Sequence, residues 1–307
     1  MRSAICRTIE QVRPLAVSVA ARGMATEKQI MGRIIATKNI SKITQSMKMV
    51  SAAKLRGDQA RLAEAQPFNA WSAELCDPPQ ITEHGIDTSE WPQKNLIVAI
   101  SSDRGLCGGV NSFVTRSIKK IASTASEEGK DLEIFVVGEK GRSQLGRLFP
   151  NKITSACTDA VLPMKFTMAL AMATEILKND FDTVHIVFNV FKSAIAYDTS
   201  IKTLPMMSKS GGEGAEEIMV EYEFEPDTKE EVMEDLYEYL LASQLWHSLM
   251  ESATSEQSSR MNAMENASKN AKEMIDSLTL IYNRARQSRI TTELIEIISG
   301  ASALEES

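Results

Sequence analysis

The sequence predicts an α/β protein in which an antiparallel coiled coil of the N- and C-terminal helices accompanies a smaller domain of alternating strands and helices. Three observations carry this. Residues 227–299 contain neither glycine nor proline. Residues 27–65 lack proline and place apolar side chains at helical spacing. The stretch between them alternates β-rich runs with helical patterns, the signature of an α/β layer.

At the start, residues 1–24 set Arg2, Arg7, Arg13 and Arg22 against one acid, Glu10, with small or apolar residues between. This is the pattern of an amphipathic organellar transit peptide, with the mature chain starting near Thr26. An N-terminal coiled-coil helix is expected over 25–70. Within it Ile40, Ile43, Met47 and Val50 recur at helical intervals and suggest the buried seam. Between residues 28 and 61 the only acid among many Lys and Arg is Asp58, so this helix offers a basic face to an acidic partner. Residues 76–92, with Pro78, Pro79, Gly85 and Pro92, read as a loop.

The α/β domain is expected over 71–226. Strands are read at 96–101, 132–137 and 183–191, and helices at 112–126, 140–148 and 164–178. Strand, helix, strand in this order implies parallel strands and a Rossmann-like outline. The glycines of 208–214 indicate a loop, and 218–224 alternates like a final strand.

The C-terminal coiled-coil helix is expected over 227–307. Asp227, Glu230, Glu231 and Glu234 open it, Arg284, Arg286 and Arg289 stand near its end, and this suits the helix dipole. Gly300 reads as its stop signal. Ala271, Met274, Leu278, Ile281, Ala285 and Ser288 form a heptad seam that continues back through Ala267, Met264, Arg260 and Gln257. A helix of that length spans about 110 Å, more than the small domain can cover. Its natural cover is the N-terminal helix, running antiparallel, with further subunits around the pair.

Composition bounds the function. The net charge of −7 argues against general nucleic-acid binding. Cys6, Cys76, Cys107 and Cys157 show no metal or disulfide spacing, and His84, His185 and His247 are scattered, so no zinc site or histidine catalyst is expected. The best case for chemistry is residues 101–111, Ser-Ser-Asp-Arg-Gly-Leu-Cys-Gly-Gly-Val-Asn, placed where a strand gives way to a helix, a usual seat for phosphate. It matches neither GxGxxG nor GxxxxGK[ST]. Gly105, Gly108 and Gly109 are better explained by a tight turn, Cys107 as structural, and the Met-rich runs 164–172 and 261–274 as adaptable packing. A nucleotide-binding α/β enzyme stays the second reading.

Three segments carry a family resemblance: Lys42-Ile-Thr-Gln-Ser-Met-Lys-Met-Val50, the turn from Ser102 to Asn111, and Arg284-Ala-Arg-Gln-Ser-Arg-Ile-Thr-Thr-Glu-Leu-Ile-Glu-Ile-Ile-Ser-Gly-Ala301. In this order they resemble the γ subunits of F-type ATP synthases, over nearly all of residues 25–304. The resemblance implies a non-catalytic rotor of the central stalk, without cofactor or metal. It would couple proton-driven turning of the c-subunit ring to conformational change at the β-subunit catalytic sites. The implied partners are the α and β subunits of the catalytic hexamer, the central-stalk δ and ε subunits, and the c ring. The implied location is the matrix side of the mitochondrial inner membrane, peripherally. By the same resemblance Met47 and Lys48 meet an acidic loop of β. Arg260, Gln287, Thr291 and Glu293 contact α and β or brace the N-terminal helix, and Leu304 lies near an apolar collar. Leu204, Pro205 and Met206, with the 101–109 turn, are the expected foot contacts. The regulatory cysteine pair of the chloroplast branch is not matched, since no cysteine follows Cys157.

Overall fold

The computed structural model describes residues 27–73, 75–76, 78–82, 85–86, 88–160, 163–205 and 229–305. The transit-peptide reading of 1–24, the foot contact at Met206, the 208–214 loop and the 218–224 strand fall outside them. The chain divides into two units, one of residues 45–266 and the other of residues 1–44 with 267–307.

Within the larger unit a six-stranded sheet is built from β1 (Gln80–Ile81), β2 (Lys94–Ile100), β3 (Asp131–Val137), β4 (Ile153–Cys157), β5 (Thr183–Phe191) and β6 (Tyr197–Pro205). Their order across the sheet is β1-β6-β5-β2-β3-β4. β2 pairs in parallel with both β3 and β5, and β3 with β4, whereas β6 runs antiparallel to β5 and to β1. The central strands are apolar on both faces, as strands covered twice must be. Leu96, Val98 and Ile100 of β2 face a core shared with α4 (Phe166–Ile176) and with Tyr237, Leu240, Leu241, Leu245 and Leu249. Ile97 and Ala99 face the opposite core, against α2 (Val110–Glu127) and Leu145 of α3 (Glu139–Leu148). The period of two in a strand separates the layers.

The expected strands and helices of this domain are present, but β4 and β6 were not anticipated, and β1 crosses the supposed loop 76–92. β4 alternates half-buried with exposed residues at the sheet edge, which gives too weak an apolar run to stand out. β6 carries Asp198, Ser200, Lys202 and Thr203, polar residues that a strand tolerates once their side chains find partners.

Two long helices complete the chain, α1 (Glu27–Asn69) and α5 (Lys229–Glu305). α5 passes straight through Gly300, so the stop expected there is corrected. A helical glycine costs about 1 kcal/mol relative to Ala, and it ends a helix only where the following residues supply a left-handed cap. Nothing crowds Gly300, and Ala301, Ala303 and Leu304 continue the helix.

In the smaller unit α1 and α5 pair antiparallel, with Glu27 against Arg289 at 2.6 Å and the Thr37 hydroxyl 4.0 Å from the Met274 sulfur. The covered line on α1 is Ile30, Ile34, Thr37, Ser41 and Thr44, an unbroken heptad alternation of four and three. On α5 it is Ser268, Ala271, Ile275, Leu278, Tyr282 and Ala285. Both expected seams are therefore corrected in part. Ala271, Leu278 and Ala285 were rightly placed, but Met274 and Ile281 are about half exposed, and so are Ile40, Ile43 and Val50. The inner line mixes apolar residues, Ile30, Ile34, Ile275 and Leu278, with small or hydroxylated ones, Thr37, Ser41, Thr44, Ser268 and Ala271, while further large apolar side chains stay outside it.

Candidate functional site

The turn after β2 is closed by its own side chains. The Ser102 amide donates to Asn111 Oδ1 at 2.9 Å, and Asn111 Nδ2 donates to Ser102 Oγ at 2.8 Å. Ser102 Oγ in turn donates to the Arg104 carbonyl at 2.7 Å. Gly108 adopts φ +64°, and a Cβ there would lie 2.8 Å from Ser259 Oγ, so this backbone can approach α5 only as glycine. The Ser259 hydroxyl uses that approach to donate to the Cys107 carbonyl at 2.6 Å. Cys107 is 2% exposed inside this knot, as befits a structural cysteine.

Phosphate-binding turns leave backbone amides free at a helix N-terminus. Here the first turn of α3 spends them internally. Asp103 Oδ1 accepts from the Glu139 amide at 3.0 Å and from the Asp159 amide at 3.2 Å, and its Oδ2 accepts from the Ala160 amide at 3.2 Å. Lys140 N donates to the Ser102 carbonyl at 3.1 Å, and Gly141 N to Ser101 Oγ at 2.9 Å. At α3, which follows β3 and lies beside the turn that opens α2, a carboxylate occupies the place an anion would need. A cleft of about 830 Å³ lies beside the turn, lined by Lys54, Arg104, Asp159, Asn189, Glu256 and Arg260 among others. Its acids and bases are mixed, without the one-sided field of an anion site.

The residues expected from sequence fall into three groups. On exposed helix surface lie Gln287, Thr291 and Glu293. The Thr291 hydroxyl returns to the Gln287 carbonyl at 2.9 Å, and Glu293 pairs with Arg289 at 3.3 Å. Leu304 is 79% exposed. Met47 and Lys48 are half-buried, and Lys48 reaches Glu265 on α5 at 2.7 Å.

Arg260 turns inward. At 8% exposure its guanidinium donates to the Arg104 and Gly105 carbonyls, each at 3.4 Å, and to Glu256 at 2.5 Å. Burial pushes the Glu256 carboxyl above its usual range, and Arg260 beside it opposes that rise. Leu204, expected at the foot contact, has its side chain fully buried where β6 pairs with Val184 of β5, in the core against α4 and α5. Pro205 ends the same strand.

Sequence reasoning passed over two buried groups. His185 stacks on Trp91 with centroids 3.6 Å apart, and its ring nitrogens meet Thr203 Oγ1 at 3.0 Å and Asn95 Oδ1 at 3.1 Å. Burial pulls its pKa down to about 3. Lys202 is 8% exposed, and its ammonium donates to Gln244 Oε1 at 2.5 Å while burial lowers its pKa. The visible signal for both was a polar residue on the inward parity of a strand.

Comparison with known proteins now adds to this geometry. The family model described as ATP synthase matches residues 26–304. The mitochondrial ATP synthase subunit gamma of Drosophila melanogaster is 43% identical over 286 residues, covering 92% of each chain. The chain belongs to the ATP synthase gamma-subunit family. A chain from the central stalk and c-ring structure of the Tetrahymena thermophila mitochondrial ATP synthase is 31% identical with a TM-score of 0.59, covering 74% of this chain and 99% of that one. A chain from the Euglena gracilis mitochondrial enzyme shares the fold at a TM-score of 0.75 and 21% identity, covering 91% of this chain and 94% of that one.

Proposed function

We propose that this chain is the rotor of a central stalk, turning inside a hexamer of α and β subunits and standing on a c-subunit ring beside δ and ε. In that role it catalyses nothing. It transmits rotation, and each orientation presents different contacts to the β sites and so biases their conformations. The chain then works from the matrix side of the mitochondrial inner membrane, and residues 1–24 direct it there. No helix among the described residues is long and apolar enough to cross a membrane.

The observation that carries the reading is the apolar outer surface of the two-helix unit. Its shared seam already buries Ile30 and Ile34 beside Thr37, Ser41 and Thr44, yet Ile35, Ile40, Ile43, Leu280, Ile290, Leu294, Ile297 and Leu304 are between 51% and 79% exposed. Such contiguous apolar surface on a helix pair marks a protein interface. Gln287, Thr291 and Glu293, with Met47 and Lys48, are the residues we propose to meet α and β. The test is purification of the native protein under mild conditions. Co-elution with α, β and c subunits is expected, and a free monomer overturns the reading.

A further inference from the structure

The way α5 is fastened to the sheet changes along its length. Between residues 237 and 249 the contact is mainly apolar, through Tyr237, Leu240, Leu241, Leu245 and Leu249, with one side-chain bond to the sheet, from Lys202 of β6 to Gln244. From residue 251 onward it becomes polar and aims at backbone. The Phe191 amide donates to Glu251 Oε2 at 2.6 Å, and the Asn189 amide donates to Ser252 Oγ at 3.3 Å. Ser255 Oγ donates to the Asn189 carbonyl at 3.1 Å. Ser258 Oγ and Asn262 Nδ2 both donate to the Ala194 carbonyl, at 2.7 and 2.9 Å. Ser259 Oγ takes the Cys107 carbonyl at 2.6 Å.

All these bonds run from three turns of one helix to the last residues of β5, the loop after it and the turn after β2. Apolar packing is non-directional and tolerates rotation of a cylinder against its bed. Hydrogen bonds weaken steeply with angle. A ladder of them to main chain, which cannot rotate to follow, resists both turning of the helix about its axis and sliding along it. Four serines within one short stretch also make the approach close, and Gly108 is the matching absence of a side chain opposite Ser259.

We propose that residues 251–262 of α5 form a torsional latch, a set of positioning residues that lets the α/β domain turn the helix without slip. This rests on the rotor reading above. The latch is built for torque because it holds backbone to side chain at several heights, whereas the segment below it meets the sheet through apolar packing and a bond between two side chains, Lys202 and Gln244.

The Ala194 carbonyl offers a variant that leaves the fold intact. Ala194 is exposed, so the double substitution Ser258→Ala with Asn262→Ala frees a carbonyl that water can satisfy. The experiment uses the assembled complex, fixed by its hexamer, with a bead on the c ring to report the angular fluctuation of the rotor at rest and its rotation on adding ATP. The latch predicts that the double variant turns and hydrolyses ATP at near the normal rate. Its torsional stiffness should fall about two-fold or more, and protons pumped per ATP should fall with it, whereas either single variant, which keeps one bond to Ala194, changes little. A merely structural role lowers the amount of complex assembled and leaves stiffness and the pumping ratio per complex unchanged, and that result overturns the latch. A wild-type complex that does not turn at all overturns the rotor reading and the latch with it.

Discussion

His185 is held neutral by its surroundings. In the unfolded chain its imidazole binds a proton below about pH 6.5, and in the folded chain only near 3. Between those values the unfolded state binds more protons, so the stability that His185 contributes is complete above pH 6.5 and is lost as pH falls through the window. Denaturant titrations at several pH values should show this decline, approaching a loss on the order of 4 kcal/mol at its lower end. His185→Gln, which cannot titrate, should flatten the slope. His247, with a pKa drawn down to about 4 by burial and then by Lys202, adds a weaker decline of the same sign. Gly108 makes the other residue-scale case. Gly108→Ala combines positive φ with an overlap on Ser259 Oγ, and should cost about 2–4 kcal/mol in thermal or denaturant unfolding. In a Ser259→Ala background the overlap disappears but the φ strain stays, so the added cost should drop by roughly half.

At the scale of elements, the parallel strands and the long helices were legible because each has one dominant pattern. β2, β3 and β5 are continuous apolar runs, and α5 is a stretch without breakers except Gly300. The turn at 101–111 was legible as structure through its glycines, though Leu106 is the residue that carries the unexpected left-handed backbone, at φ 63°. What misled was the equation of apolar with inside. On α1 the eye follows Ile40, Ile43 and Val50, yet the covered line is Thr37, Ser41, Thr44 and Ser51. Only a neighbour outside the chain makes that choice sensible, and a single sequence does not display its neighbours. Leu204 is the opposite case, a core residue that shares its strand face with Asp198, Ser200 and Lys202 and is hidden by them. Two substitutions separate these faces. Ile40→Ser with Ile43→Ser should change the unfolding free energy of the isolated chain by under about 0.5 kcal/mol, while lowering its incorporation into complex measured by co-purification. Glu293→Ala removes only an exposed pair with Arg289, worth about 0–1 kcal/mol, and should impair ATP synthesis more than stability. Normal synthesis rates with Glu293→Ala would remove that residue from the contact surface.

For the molecule as a whole, the competing reading as a nucleotide-binding enzyme has a direct measurement. Because Asp103, the Ser101 hydroxyl and the Ser102 carbonyl already occupy the α3 amides beside the turn, equilibrium dialysis of the isolated chain against ATP and NAD should detect no binding tighter than millimolar, roughly the level of non-specific contact. Micromolar affinity at this turn would reinstate the enzyme. The exposed isoleucines and leucines of the two-helix unit bear on a different matter, the life of the chain before it has neighbours. A surplus copy presents an uncovered greasy rod to the cell, and light scattering should find it self-associating at concentrations where the Ile40→Ser, Ile43→Ser form stays dispersed. Synthesis of this chain is therefore expected to be matched to that of its partners or escorted by a chaperone.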